Sequence, residues 1–311
     1  MGNKSNKAWW IFIIVMIQSI VIPMCQFKVP PVMPQMIGSL GLSITIAGWM
    51  MSIFSITGVI MAFPAAALLN KWGPKIMGLV SLFCALVGSV IGALAANGIV
   101  MMIGRTIEGV SVGLVGIVAP AVISMWFPPE KRSLPMAIWA CWVPAGMILM
   151  YNAANPIVNV FGWQAVWWFT AILCLVAAIL YSIFVDAPEV GQEETVVSGD
   201  YPKEFIWKAI FTPSIWVLGG VFFLFNLTAL AYYSWGPTYL TEVLGYSQVV
   251  ANFQSSLMGM GGIVSCVVMG FIVNSVKNKK WALVAVTFLY IWIIFWCFSL
   301  TPGTSIIYML I

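Results

Sequence analysis

The stretch A-A-L-L-N-K-W-G-P-K, Ala66 to Lys75, is a short basic turn set between two long apolar runs. Asn70, Lys71, Lys75 and the Gly73-Pro74 pair do not belong in hydrocarbon, where a backbone or side-chain polar group has no water to bond. The stretch therefore reads as a tight polar hairpin joining two membrane helices. Its pattern returns further along. Shifted by 204 residues, Gly41 falls on Gly245, Ser43 on Ser247, Gly58 on Gly262, Asn70 on Asn274 and Lys75 on Lys279. Two halves built on one pattern are expected.

Composition points the same way. Hydrophobic residues make up 62% and charged residues 7%, with a mean hydropathy of +1.04, which excludes a soluble domain and predicts an all-α polytopic membrane protein. There are no histidines, so imidazole catalysis, histidine metal sites and histidine pH switches are closed. The six cysteines lie inside apolar runs with no C-x-x-C, and read as small core hydrophobes rather than disulfides or metal ligands. No Ser-His arrangement, intramembrane carboxylate pair or phosphate-cradling loop suggests an enzyme, and no cofactor or metal is called for. Lys277, Lys279 and Lys280 form a basic turn beside a membrane, an orientation signal rather than a nucleic-acid surface.

At about 20 apolar residues per span, the runs resolve into nine complete helices near 8–37, 44–69, 75–96, 99–126, 133–160, 164–185, 210–242, 247–274 and 281–300, with a tenth starting near Ser305. The first run is too long for a signal-peptide core and lacks a small-residue cleavage site, so it is read as a retained helix. With the amino terminus in the cytoplasm, eleven of the thirteen Lys and Arg fall inside and none falls in an external loop, as the positive-inside rule requires. Residues 186–209 hold six of the nine acidic residues. They read as a solvated linker between an N-terminal six-helix bundle, 1–185, and an incomplete second bundle, 210–311, with Phe205-Ile206-Trp207 lying along the membrane surface. By the repeat, a complete chain would run to about residue 389, and the 311-residue form is not expected to transport alone.

Three ionisable side chains sit at membrane depth, where each costs about 2.5 to 3.5 kcal/mol: Lys28, Arg105 and Glu108. Lys28 is followed by Val29-Pro30-Pro31, and the prolines free carbonyls that must face protein or a wet cavity. Three readings are open for it: a fixed positive charge that lines a central cavity and attracts an anion, a side chain snorkelling to the external interface, or a partner for a buried carboxylate. Under the shift Tyr232 takes the equivalent place, so Lys28 and Tyr232 are expected to face one another, with Gln26, Asn226, Tyr233 and Trp235 adding hydrogen bonds and aromatic walls. Arg105 and Glu108, three apart on one helix face, are expected to pair. The pair is either mutual neutralisation or a coupling switch in which protonating Glu108 frees Arg105 for an anion. Gly88 and Gly92, Gly109 and Gly113, and Gly259, Gly261 and Gly262 mark close helix contacts.

The hairpin resembles the loop between helices 2 and 3 of the major facilitator superfamily, G-x-L-A-D-R-x-G-R-K. Ala66 stands for its first glycine, Leu68 for its leucine, Asn70 for its aspartate, Lys71 for its arginine, Gly73 for its second glycine, and Pro74 and Lys75 for its basic pair. Arg105 to Gly109, Phe127 to Arg132 and Gly162-Trp163-Gln164 fit the same family. Gln26 to Pro34, Q-F-K-V-P-P-V-M-P, is most similar to the cyanate, nitrate and organic-anion carriers, and Val143-Pro144-Ala145-Gly146 matches the drug-proton antiporter signature only in part. The resemblance implies a two-bundle secondary transporter of the plasma (inner) membrane. It would act as a monomer, carrying a small inorganic or organic anion by alternating access with protons or a counter-substrate. It also implies a conformational-switch loop of Asn70, Lys71, Gly73, Lys75 and the repeat partner Asn274, in which Asn70 lacks the family's acidic latch. Efflux of lipophilic drugs, or a non-transporting fragment, are the alternatives.

Overall fold

Gly73 has φ 74° and ψ 166°, a conformation open to glycine without strain, and here the chain turns back on itself. The computed structural model describes residues 2–186 and 211–275, with positions 284, 288 and 292 besides. Its elements are helices: α1 Gly2–Phe27, α2 Met33–Leu40, α3 Ile44–Ala93, α4 Gly98–Trp126, α5 Ser133–Trp139, α6 Trp142–Phe161, α7 Gln164–Phe184, α8 Pro213–Glu242 and α9 Gln248–Ser275, with 3-10 turns at Pro30–Val32 and Pro129–Lys131.

The 50-residue α3 is two arms joined at Gly73. Along the first arm, Phe54 meets Gly109 of α4 and Gly58 meets Gly113, so the two run parallel. Along the second, Ser81 Oγ donates to Ser111 O at 3.0 Å and Gly88 lies against Gly104, so the direction is reversed. The expected hairpin is there, with Asn70 and Lys71 exposed at its tip. The glycine pairs are where α4 presses backbone to backbone between the arms, the close approach that small residues permit in membranes.

Sequence repetition becomes structural repetition at the turns before the second and eighth expected helices. Gly41 and Gly245 both take positive φ, 61° and 72°. Ser43 Oγ then accepts Ile46 N at 3.3 Å, and Ser247 Oγ accepts Val250 N at 3.5 Å, each capping the helix that follows.

Six described stretches are long and apolar enough to cross a membrane, and the longest, Ile44–Ala93, is the folded pair of arms. Two expectations need correction. The first run is not one helix over 8–37, because α1 stops at Phe27, where Pro30 and Pro31 remove two backbone donors. The run 133–160 is interrupted between Trp139 and Trp142. The count of nine complete helices is not confirmed among the described residues: most of the helix near 281–300, the start of a tenth, and most of the linker with Phe205-Ile206-Trp207 lie outside them, as does the side chain of Asn274.

One end of the molecule gathers the basic turns. Lys7 Nζ sits 5.3 Å from the centre of the Trp126 ring. Arg132 folds back to bond the carbonyls of Phe127 and Ser124 at 2.7 and 2.6 Å, closing the C-terminus of α4. Lys75 bonds Asp186 at 2.9 Å, tying the hairpin to the end of α7, while Tyr181 Oη donates to Pro74 O at 3.2 Å. The outer faces carry apolar side chains such as Phe63, Phe83 and Phe161, as lipid requires.

Candidate functional site

The break after α1 is where the buried charges meet. In a regular helix the carbonyl of Gln26 would accept from residue 30, but that residue is proline and has no N–H. Arg105 of α4 supplies the missing donor. Its Nη2 reaches Gln26 O at 3.2 Å, its Nη1 reaches Cys25 O at 2.6 Å, and its Nε reaches Met50 O on the first arm of α3 at 3.1 Å. The guanidinium lies 4.5 Å from the centre of the Phe54 ring. Arginine's planar fork serves three carbonyls at once, which a lysine's point charge does not.

Glu108, one turn along, holds both cations. Its Oε2 accepts Arg105 Nη1 at 2.6 Å and its Oε1 accepts Lys28 Nζ at 2.5 Å. The remaining two protons of Lys28 go to Ser89 Oγ and Thr170 Oγ1, each at 2.9 Å, and Ser89 in turn donates to Glu108 Oε1 at 2.6 Å. The ammonium rests 4.9 Å from the centre of the Trp167 ring. Lys28, Ser89, Arg105, Glu108 and Thr170 are all without solvent exposure. The network therefore links the end of α1, both arms of α3, α4 and α7. Two cations against one carboxylate leave one positive charge uncompensated within it.

Of the readings open for Lys28, this geometry shows the pairing with a buried carboxylate, and all three ammonium donors are used. The expected Arg105–Glu108 pair is present as well. Gln26 contributes its backbone carbonyl, with its side chain buried beside it. Tyr233, one of the expected aromatic residues, reaches this region: its ring packs edge-on to Phe27 at 5.6 Å, and its carbonyl accepts the hydroxyl of Tyr151. Trp235 packs over Gly48. Asn226 donates to Phe222 O of its own helix at 2.8 Å. Lys71 and Asn70 remain at the exposed hairpin tip, far along the sequence from these charges. Ser89, Thr170, Trp167 and Tyr151 were not singled out from sequence. Their signal was faint, a hydroxyl or ring inside an otherwise apolar run.

Helices α6 and α9 touch along a polar seam. Asn152 of α6 donates to Ser256 of α9 at 3.1 Å, Asn252 donates to Asn155 at 3.1 Å, and Gln248 donates to Asn252 at 3.1 Å.

Fold and network together define a polytopic helical membrane protein with a locked charge cluster at a break in its first helix. Residues 11–311 match the Major Facilitator Superfamily, and the chain belongs to it. It is a superfamily of transporters, not enzymes. Over 191 residues the chain is 22% identical to the chloroplastic ascorbate transporter of Arabidopsis thaliana, covering 58% of this chain and 35% of that protein. Over 248 residues it is 21% identical to a chloramphenicol resistance protein of Streptomyces lividans, covering 79% of this chain and 62% of that one. In fold it is similar to the xylose transporter XylE of E. coli in a partially occluded inward-open conformation, with TM-score 0.69 and 15% identity over 87% of this chain and 72% of XylE. The chain spans at most 62% of the length of the two curated relatives.

Proposed function

We propose that this chain belongs to a secondary transporter that moves a small organic or inorganic anion across the plasma (inner) membrane by alternating access, acting as a monomer with a cytoplasmic amino terminus. Residues 1–185 form one bundle and 210–311 part of the other, joined by a solvated cytoplasmic linker over 186–209, and the two rock about the region between them. The observation that carries the reading is the buried excess of positive charge: Lys28 and Arg105 face the single carboxylate of Glu108 with no exposure to solvent. An anion entering beside Lys28 takes the place of Glu108 as its partner, and the cluster keeps the same net charge. Protonation of Glu108 frees the cations for it, so proton and anion move together. Gln26, Tyr232, Tyr233, Trp235 and Asn226 line the path on either side. Asn70, Lys71, Gly73, Lys75 and Asn274 form the two switch loops at the cytoplasmic face. The ascorbate transporter among the relatives supports an organic acid as substrate class.

A second reading rests on a different observation. Met24, Met33, Met36, Met50, Met147 and Met150 are buried together around Phe27 and Tyr151, an adaptable thioether lining of the kind that suits varied apolar ligands, and a chloramphenicol resistance protein is among the relatives. Thermal stabilisation of the purified protein by small anions and by lipophilic cations separates the two. A ligand at 100 times its Kd adds about 2.7 kcal/mol to apparent stability. On the anion reading, a carboxylate or inorganic anion raises Tm in the wild type and not in Lys28→Met. Stabilisation by lipophilic cations alone, indifferent to Lys28→Met, transfers the assignment to drug efflux.

A further inference from the structure

Pro237 does inside α8 what Pro30 does after α1. In a regular helix the carbonyl of Tyr233 would accept the N–H of residue 237, and a proline has none to give. The hydroxyl of Tyr151 on α6 donates to that carbonyl instead. One ring ties the two tyrosines to the charge cluster. Phe27, the residue before Lys28, packs edge-on to Tyr151 at 6.3 Å and to Tyr233 at 5.6 Å. Thr238 Oγ1 lies 3.9 Å from Met33 Sδ, so the stretch around Pro237 lies against the start of α2, just past the break in the first run.

Two side chains therefore donate at two proline breaks, and they differ in what they join. Arg105 reaches Gln26 O between α4 and α1. Tyr151 joins α6 to α8, 82 residues further along the chain. One and four residues beyond it on α6, Asn152 and Asn155 meet Ser256 and Asn252 of α9, towards the end of the molecule away from the basic turns. The Tyr151 bond is unlike ordinary packing in one respect. When the hydroxyl leaves, residue 237 has no N–H to offer the Tyr233 carbonyl, so the contact is given up only where water or another donor reaches this point.

We propose that Tyr151 is a conformational latch. Its hydroxyl on the Tyr233 carbonyl holds α6 against α8 and keeps the molecule closed at the end away from the basic turns, and it releases when that end opens. The inference rests on the alternating-access reading above, in which α6 and α8 belong to different bundles. Phe27 places the latch beside Lys28, so a change of partner at Lys28 disturbs the ring on which both tyrosines pack.

The test reads the separation of the helices. Spin labels are attached through unnatural azide-bearing residues at Val160 on α6 and Val249 on α9, both exposed at the end in question, which leaves the native cysteines in place. Pulsed electron resonance on the purified protein in lipid nanodiscs then gives the distance distribution. Tyr151→Phe keeps the ring and removes the hydroxyl, and should raise the ratio of long to short separations about threefold to tenfold, the effect of one hydrogen bond. Pro237→Ala returns an N–H to α8 and should raise the ratio likewise, and adding Tyr151→Phe to it should change little more. An unchanged distribution in Tyr151→Phe, or an effect of Tyr151→Phe that is undiminished in Pro237→Ala, overturns the latch. Two separations in the wild type with proportions that Tyr151→Phe leaves unaltered do so while alternating access stands. A single short separation in the wild type and in both variants removes the latch and that reading together. Tyr151→Phe decides the matter even if Pro237→Ala fails to fold.

Discussion

Two ion pairs in this molecule have nearly the same geometry and opposite meanings. Lys28 and Glu108 approach to 2.5 Å with no exposure, whereas Lys75 and Asp186 approach to 2.9 Å with side chains 38% and 57% exposed. If the surface pair separates, water solvates each partner, and such pairs contribute about 0 to 1 kcal/mol. If the buried pair separates, neither charge has anywhere to go, and the loss of one partner typically costs about 3 to 5 kcal/mol. A buried charge must therefore be handed from one partner to another. On the proposed transport reading, that obligation suits the interior cluster to exchange an internal carboxylate for a substrate anion, while the surface pair is a weak clasp on the hairpin.

The contrast is broken most severely at Glu108. Glu108→Gln strands two buried cations, and a loss of about 3 to 5 kcal/mol in unfolding free energy is expected, read by thermal or denaturant melting in detergent. Arg105→Lys keeps the charge but abandons the carbonyls of Gln26 and Met50, and should cost about 2 to 3 kcal/mol in the same melt. Lys28→Met sharpens the comparison, because Glu108 keeps Arg105 and the cluster becomes neutral. A cost below about 2 kcal/mol is expected, smaller than for Glu108→Gln, since an apolar replacement in a buried ion network is often well tolerated. A larger loss from Lys28→Met than from Glu108→Gln would show that the excess charge is not where it is placed here.

The smallest effect belongs to the surface. Lys75→Ala should change stability by no more than about 1 kcal/mol, and 1 M salt should erase the difference. The hydrogen bond and then the charge of Lys75 hold the Asp186 carboxyl below its ordinary range. Because the folded value is the lower one, the pair's contribution is complete above the ordinary carboxylate range near 4. It is lost as pH falls through the folded value, so wild type and Lys75→Ala should converge in melts below that range.

How much of this was legible in the sequence follows the range of the interactions. The hairpin at Gly73 and the pairing of Arg105 with Glu108 are local, set by a glycine-proline turn and by three-residue helical spacing, and both could be read directly. The 204-residue repeat was readable because two Gly-x-Ser turns need the same backbone and the same cap. The partners of Lys28 were not, because Ser89, Glu108 and Thr170 come from three other helices, 61, 80 and 142 residues away. Pro30 announced an orphaned carbonyl, but only the fold shows that Arg105 satisfies it.

The most direct test counts protons. In weakly buffered detergent solution, binding of the stabilising anion to the wild type should take up about one proton per anion as Glu108 gives up Lys28, and Glu108→Gln should bind the anion with no uptake. Anion binding without proton uptake in the wild type, or with the same uptake in Glu108→Gln, would contradict the exchange of Glu108 for substrate at Lys28.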